Sequence, residues 1–146
     1  MFRVDYETLE PSEDFLLMCY AGAPFSGVAV EYDAEGVLMT ETSFVNGQQN
    51  GISRQWSATN RLIREEWLAL NALHGQAREW HDNGARKSDG CYELGICIRN
   101  QVWDAQGTLL KDYRIDEEGP QFATLKKLRS SQIGIIASTA HLPHGD

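Results

Sequence analysis

Short runs of apolar and polar residues in alternation, each closed by a glycine- or asparagine-bearing turn, occupy most of this chain. They read in order as Val28 to Tyr32, Val37 to Val45, Ile52 to Trp56, Leu62 to Leu68, Gln76 to Trp80, Arg86 to Tyr92, Gly95 through Trp103, and Leu109 to Ile115. Alternation with a period of two places successive side chains on opposite faces of a sheet, so each run predicts a strand. The runs also recur in register. Tyr32, Trp56 and Trp80 are spaced by 24 residues, with Trp103 one residue early, and Gly36, Asn60, Gly84 and Gly107 follow them by four. Gly27, Gly51 and Gly75 precede the same aromatics by five, and an acidic series stands at Glu41, Glu65, Asp89 and Asp112. A period that holds two strands and two turns is one β-hairpin plus its connection, so the pattern predicts a mainly β fold, an antiparallel meander of repeated hairpins.

The turns support the same reading. Asp33 to Gly36, Ser57 to Asn60, His81 to Gly84 and Asp104 to Gly107 each end in Gly or Asn. Those residues tolerate positive φ, which predicts a left-handed final position. Asn46-Gly47 through Gly51, and Ala69 to Gly75, read as the connecting loops. Ile52, Arg54 and Trp56 share a face, so the Trp series predicts an aromatic ladder whose role is core packing.

At the ends the pattern changes. Residues 1–26 read as an N-terminal capping segment with a strand from Phe15 to Tyr20, residues 27–115 as the hairpin repeats, and residues 116–146 as a C-terminal helix and tail. Phe122, Leu125 and Leu128 have helical spacing, with Lys126, Lys127 and Arg129 near the C-terminal end, which predicts a short helix covering the last sheet edge. Ile133 to Ile136 reads as a last strand, and His141 to Asp146 as a loose tail.

Composition narrows the functional classes. The formal charge is -8, and all of it lies in the first third: Asp5, Glu7, Glu10, Glu13, Asp14, Glu31, Asp33, Glu35 and Glu41 face a single base, Arg3, within residues 1–52. Such a field repels phosphates and anionic headgroups, which argues against nucleic acid or a membrane surface and for a basic protein as partner. No apolar run approaches the roughly 18–20 residues of a bilayer span, and the start of the chain is acidic where a secretion signal is basic, so a cytoplasmic location is expected. Cys19, Cys91 and Cys97 are odd in number and show no Cys-x-x-Cys spacing, which reads as buried reduced thiols. Chemistry-bearing motifs are absent: there is no phosphate loop, no Gly-x-Ser-x-Gly elbow and no His-Glu-x-x-His pair. His141 and His144 have a metal-compatible spacing without a third ligand, and His74 and His81 lie in or beside turns. The in-phase acids Glu41, Glu65 and Asp89 read as one exposed strand position repeated. No cofactor and no catalytic or metal residue is expected.

Tyr20, Gly22, Pro24, Phe25 and Gly27, then Glu31, Tyr32 and Gly36, then Asn46, Gly47, Gly51 and Trp56, then His74, Gly75, Trp80 and Gly84 together resemble the bacterial variant of MORN repeats. In particular they are similar to the YwqK-type antitoxin and immunity group, over roughly residues 18–115. Asn60 and Asn71 stand where the pattern has glycine, and Arg99 where a glycine is due, so the last repeat departs from it as a terminal cap does. The resemblance implies a non-catalytic antitoxin or immunity protein that neutralises a partner toxin by occlusion. A cationic toxin such as a nuclease suits the acidic third, with Glu31, Asp33, Glu35 and Glu41 as the expected contact surface. A general interaction scaffold is the alternative reading, and a lipid-binding module is disfavoured by the sign of the charge.

Overall fold

Hairpin follows hairpin in the computed structural model, which describes residues 2–139. The main strands are β5 (Gly27–Tyr32), β6 (Leu38–Val45), β7 (Gln48–Trp56), β8 (Leu62–Ala69), β9 (Ala72–Trp80), β10 (Arg86–Glu93), β11 (Ile96–Trp103) and β12 (Leu109–Arg114). Each pairs antiparallel with the next, and β1 (Arg3–Asp5) adds to β5 in parallel, giving a nine-stranded sheet among the described residues. Between β1 and β5 the chain makes a 3-10 turn (Tyr6–Thr8) and a small sheet of β2 (Glu10–Pro11), β3 (Met18–Tyr20) and β4 (Ala23–Pro24).

The period is visible in the hydrogen bonds. In each of the four-residue turns the first N–H donates to the carbonyl four residues on, and the fourth N–H donates back to the first carbonyl: Asp33 with Val37 and Gly36, Ser57 with Arg61 and Asn60, His81 with Ala85 and Gly84, Asp104 with Thr108 and Gly107. The fourth residue is left-handed every time, with φ of 83° at Gly36, 62° at Asn60, 86° at Gly84 and 88° at Gly107. Tyr32, Trp56, Trp80 and Trp103 occupy equivalent places at the ends of their strands, opposite Leu38, Leu62, Arg86 and Leu109. The last turn is as regular as the others despite Arg99.

Connections at the other end of the sheet are shorter than the sequence suggests. Asn46-Gly47, Leu70-Asn71 and Leu94-Gly95 are two-residue turns with both φ positive, so the strands begin at Gln48, Ala72 and Ile96. Leucine resists this conformation, which is why residues 69–75 read as a loop. What compensates is a bond repeated every hairpin: the N–H of Gly47, Asn71 and Gly95 donates to Phe25, Gln49 and Leu73. Gly51 and Gly75 accordingly lie inside strands, with φ of 101° and 117°, packed against Ser43 and Trp67.

The core is not where the Trp ladder predicts it. Val4, Leu9, Phe25, Ala29 and Phe44 form the buried cluster, with Tyr6, Met18 and Tyr20 against it. Phe2 meets Tyr20 edge-on at 5.2 Å between ring centres, and Phe25 meets Phe44 at 5.7 Å. The middle strands β7, β9 and β11 are half-buried throughout, as a single layer open on both faces must be. Only Met18 to Tyr20 of the expected Phe15 to Tyr20 strand pairs, because Phe15 is left-handed (φ 60°) in a turn that Ser12 and Asp14 close.

Two helices follow the sheet, α1 (Pro120–Arg129) and α2 (Gln132–Thr139), and α2 replaces the strand expected at Ile133 to Ile136. Tyr113 donates to Gln121 at the start of α1, and Arg129 at its end forks onto Glu93 at 2.7 and 2.8 Å. These contacts carry α1 from β12 across to β10, over the end of the sheet with the two-residue turns. The outer edge of β12 stays exposed from Leu109 to Asp112. The tail from His141 to Asp146, with His141 and His144, lies outside the described residues.

Candidate functional site

Cross-strand register converts the acidic series into a ladder. Glu41, Arg54, Glu65, Arg78, Asp89, Gln101 and Asp112 stand directly opposite one another on consecutive strands, all on one face. Arg54 reaches Glu65 at 2.9 Å, Arg78 lies 3.7 Å from Asp89, and Arg86 joins Asp89 at 3.0 Å. At the N-terminal side Arg3 meets Glu41 at 2.6 Å, and this partner holds the guanidinium proton more firmly than usual. The acids are therefore ion-paired and largely covered, with side-chain exposures of 22% at Glu41, 24% at Glu65 and 15% at Asp89, and not the exposed position that the sequence suggested. Each such pair contributes about 0.2–1 kcal/mol, so the ladder fixes strand register more than it stabilises. Arg54 and Arg78 carry the same 24-residue spacing as the acids. That spacing, read together with antiparallel pairing, was the signal for it.

The four expected contact residues part company. Glu41 lies in the ladder, while Glu31, on the opposite face, accepts a hydrogen bond from Thr40 at 2.9 Å. Asp33 accepts the N–H of Glu35 and of Val37, both at 2.9 Å, and so builds the turn. Glu35 is exposed at its tip. Glu31 also lines a depression of about 420 Å³ with Asp5, Tyr6, Glu7, Val30 and Tyr32, where Tyr32 is 52% exposed. Sequence reasoning did not place Asp5 and Glu7 beside Glu31, since a parallel β1 between residues so far apart leaves no local signature.

The opposite face between β8 and β11 forms a shallow groove of about 320 Å³ over Ala77 and Ser88, bordered by Glu66, Tyr92 and Asn100. Lost hydration holds the half-buried Glu66 carboxyl and the Tyr92 hydroxyl above their ordinary values. Glu93 is held below its ordinary value by the Arg129 hydrogen bonds. Cys19, Cys91 and Cys97 are free and half-buried, and burial pushes the Cys97 thiol up. Among the described residues no group of three or more His, Cys, Asp and Glu is placed to hold a metal. No helix among them is long and apolar enough to cross a membrane.

His74 has a structural task. Its Nδ1 accepts the N–H of Leu94 at 3.0 Å, the place that Ser26 Oγ fills for Asn46 one hairpin pair earlier. Burial lowers the affinity of the ring for a proton, against a smaller opposing pull from Glu93. The unfolded chain then binds the extra proton more readily, so stability is complete above the ordinary histidine value of about 6.5 and declines as pH falls below it. We expect His74→Asn, which keeps an acceptor without a titration, to flatten the decline between about pH 7 and 5.5 in denaturant unfolding at a series of pH values. Parallel curves for the two proteins would contradict the assignment.

Fold and site together define a protein of repeated hairpins whose nine-stranded sheet leaves its middle strands half-exposed and carries a charged cross-strand ladder. No protein-family model matches the chain. It is 32% identical over 114 residues to the immunity protein YwqK of Bacillus subtilis (strain 168), an alignment covering 78% of this chain and 74% of that protein. The chain belongs to the YwqK immunity-protein family. That relationship points to an immunity- or antitoxin-type role. Two solved structures, one of a mutant of S. aureus TarM and one of TarM, align with TM-scores of 0.39 at 13% identity, over 61% and 74% of this chain but 18% and 20% of those chains. The chain thus spans about a fifth of TarM's length, and the likeness is too slight to carry meaning for activity.

Proposed function

We propose that this chain is a non-catalytic immunity protein, an antitoxin that neutralises a partner toxin by lying over its working surface, and that its hairpin units are MORN-like repeats. Membership of the YwqK family is the observation that carries the reading. The charge refines it: with the imbalance confined to residues 1–52, a basic partner such as a nuclease is attracted to the N-terminal end, faster at low salt. The contact surface is the acidic rim there, Glu31, Asp33, Glu35 and Glu41, with Asp5 and Glu7 beside Glu31 and Tyr32 as an apolar anchor.

The geometry divides those residues into two kinds. Reversing Glu31 and Glu35 to lysine is expected to weaken binding of the purified product of the neighbouring reading frame by at least about tenfold, mostly through slower association, and to flatten its salt dependence. Reversing Asp33 or Glu41 is expected to lower stability as well, because Asp33 holds its turn and Glu41 holds Arg3. Calorimetric titration over a range of salt, with unfolding curves beside it, separates the effects. Unchanged affinity in the Glu31/Glu35 variant removes the acidic rim from the account. A general scaffold for protein assembly is the second reading, favoured by the half-exposed middle strands.

A further inference from the structure

The sheet stops at a strand that keeps the register of its equivalents but has a neighbour on one side only among the described residues. β12 corresponds to β6, β8 and β10, and Asp112 stands where Glu41, Glu65 and Asp89 stand in theirs. In each earlier copy the following strand sets a side chain opposite that acid: Arg54 for Glu41, Arg78 for Glu65, Gln101 for Asp89. Beyond Asp112 no strand is paired among the described residues. The edge is also uncovered over most of its length. It has six residues, no proline, and leucines at 48% (Leu109) and 64% (Leu110) exposure beside the charged Lys111, Asp112 and Arg114, so a partner must match its charges, whereas the opposite edge is closed by the short β1 and the aromatic cluster.

The backbone is set for addition. Ile115 N–H donates to Ile98 at 2.8 Å, and Arg114, Tyr113 and Asp112 pair with Arg99, Asn100 and Gln101. In an antiparallel ladder alternate residues turn both backbone groups to the same neighbour, so Tyr113 goes with Ile115 toward β11, and Asp112 and Arg114 turn theirs outward.

We infer that β12 accepts an antiparallel strand of a partner protein, with a basic residue opposite Asp112 and apolar side chains against Leu109 and Leu110. The repeat itself supplies the charge rule, since two of the three equivalent acids already meet an arginine across the next strand. A second copy of this chain fits worse: two β12 strands paired about their centre set Asp112 against Asp112 or Lys111 against Lys111, and like charges directly opposite are unfavourable. Main-chain bonds supply the affinity of such strand addition and alternate side chains its selectivity. The inference rests on reading the chain as a binding protein, and it adds the edge to the acidic rim as a second contact.

The test needs no toxin, so its failure leaves the proposed function standing, and failure of toxin neutralisation leaves the edge standing. Short blocked peptides of alternating threonine and valine, with arginine or with glutamate at the centre, serve as probes, and amide hydrogen exchange of the intact protein is the readout. The arginine peptide at saturation is expected to slow exchange at Asp112 and Arg114 by about tenfold, the glutamate peptide by much less. Asp112→Pro is expected to abolish the effect while Tyr113 N–H stays protected, because only an outward N–H is lost. No slowing at Asp112 and Arg114, equal slowing by both peptides, or a free protein that sediments as a dimer with Asp112 N–H already protected would each overturn the inference.

Discussion

Replacing Phe25 with alanine is expected to lower the unfolding free energy by about 3–5 kcal/mol, a large share of what a domain of this size has. Phe25 is 2% exposed and touches the rings of Phe2, Tyr20 and Phe44, with centres 6.0, 6.2 and 5.7 Å away. Those contacts join the N-terminal segment to β5 and β6, and no comparable buried cluster exists among the middle strands. The loss is therefore a loss of closure at one end. In a structure whose units touch only their neighbours, unfolding then starts at that end and advances. Equilibrium denaturation gives the magnitude, and amide exchange the order, with β5 and β6 losing protection before β9 and β10. By contrast Leu110→Ala, at an exposed edge position, is expected to change stability by no more than about 0.5 kcal/mol. A Phe25→Ala protein as stable as the parent would mean that the aromatic cluster is not the core.

Gly27→Ala should be the most damaging glycine substitution in the sheet, and its comparison with Gly36→Ala isolates the reason. Both positions have positive φ, 151° at Gly27 and 83° at Gly36. A Cβ at Gly36 meets nothing within 4 Å, so only the left-handed conformation is penalised, by about 1–2 kcal/mol. At Gly27 the same atom falls 2.4 Å from the backbone oxygen of Phe2 and 2.9 Å from the Phe25 ring. Backbone cannot swing aside as a side chain does. The Phe2 carbonyl accepts the Val28 N–H at 2.8 Å, so displacing it also detaches β1. We expect Gly27→Ala to exceed the cost of Gly36→Ala by at least about 2 kcal/mol and to expose the Phe25 and Tyr20 rings, seen as increased dye binding or altered near-ultraviolet dichroism. Equal costs would show that β1 is free to move.

How much of this was legible depends on the range of the interaction. The four-residue turns were readable because a positive φ selects Gly or Asn whatever the surroundings, and Gly36, Asn60, Gly84 and Gly107 all obey. Leu70 and Leu94 were not, since their turns are held by bonds to other hairpins: Asn71, next to Leu70, exchanges hydrogen bonds with Gln49, and the Leu94 N–H donates to His74. The antiparallel meander followed from periodicity alone. The core did not, because Trp56, Trp80 and Trp103 have the size of core residues but stand half-buried at strand ends, apart from the buried cluster. Ile133 to Ile136 was misread as a strand because a short apolar run has no periodicity of its own to choose helix over strand. Of the four expected contact residues, Asp33 and Glu41 are engaged in the fold, and the pairing of Glu41 with Arg3 depends on a parallel strand that no local pattern announces.

The most direct test of the account is growth of cells that express the neighbouring reading frame alone, beside cells that express it together with this chain. The account predicts growth arrest in the first, rescue in the second, and loss of rescue on reversing Glu31 and Glu35 with the protein still folded. A neighbour that is harmless by itself, or a toxicity that persists with this chain folded and in excess, would contradict it.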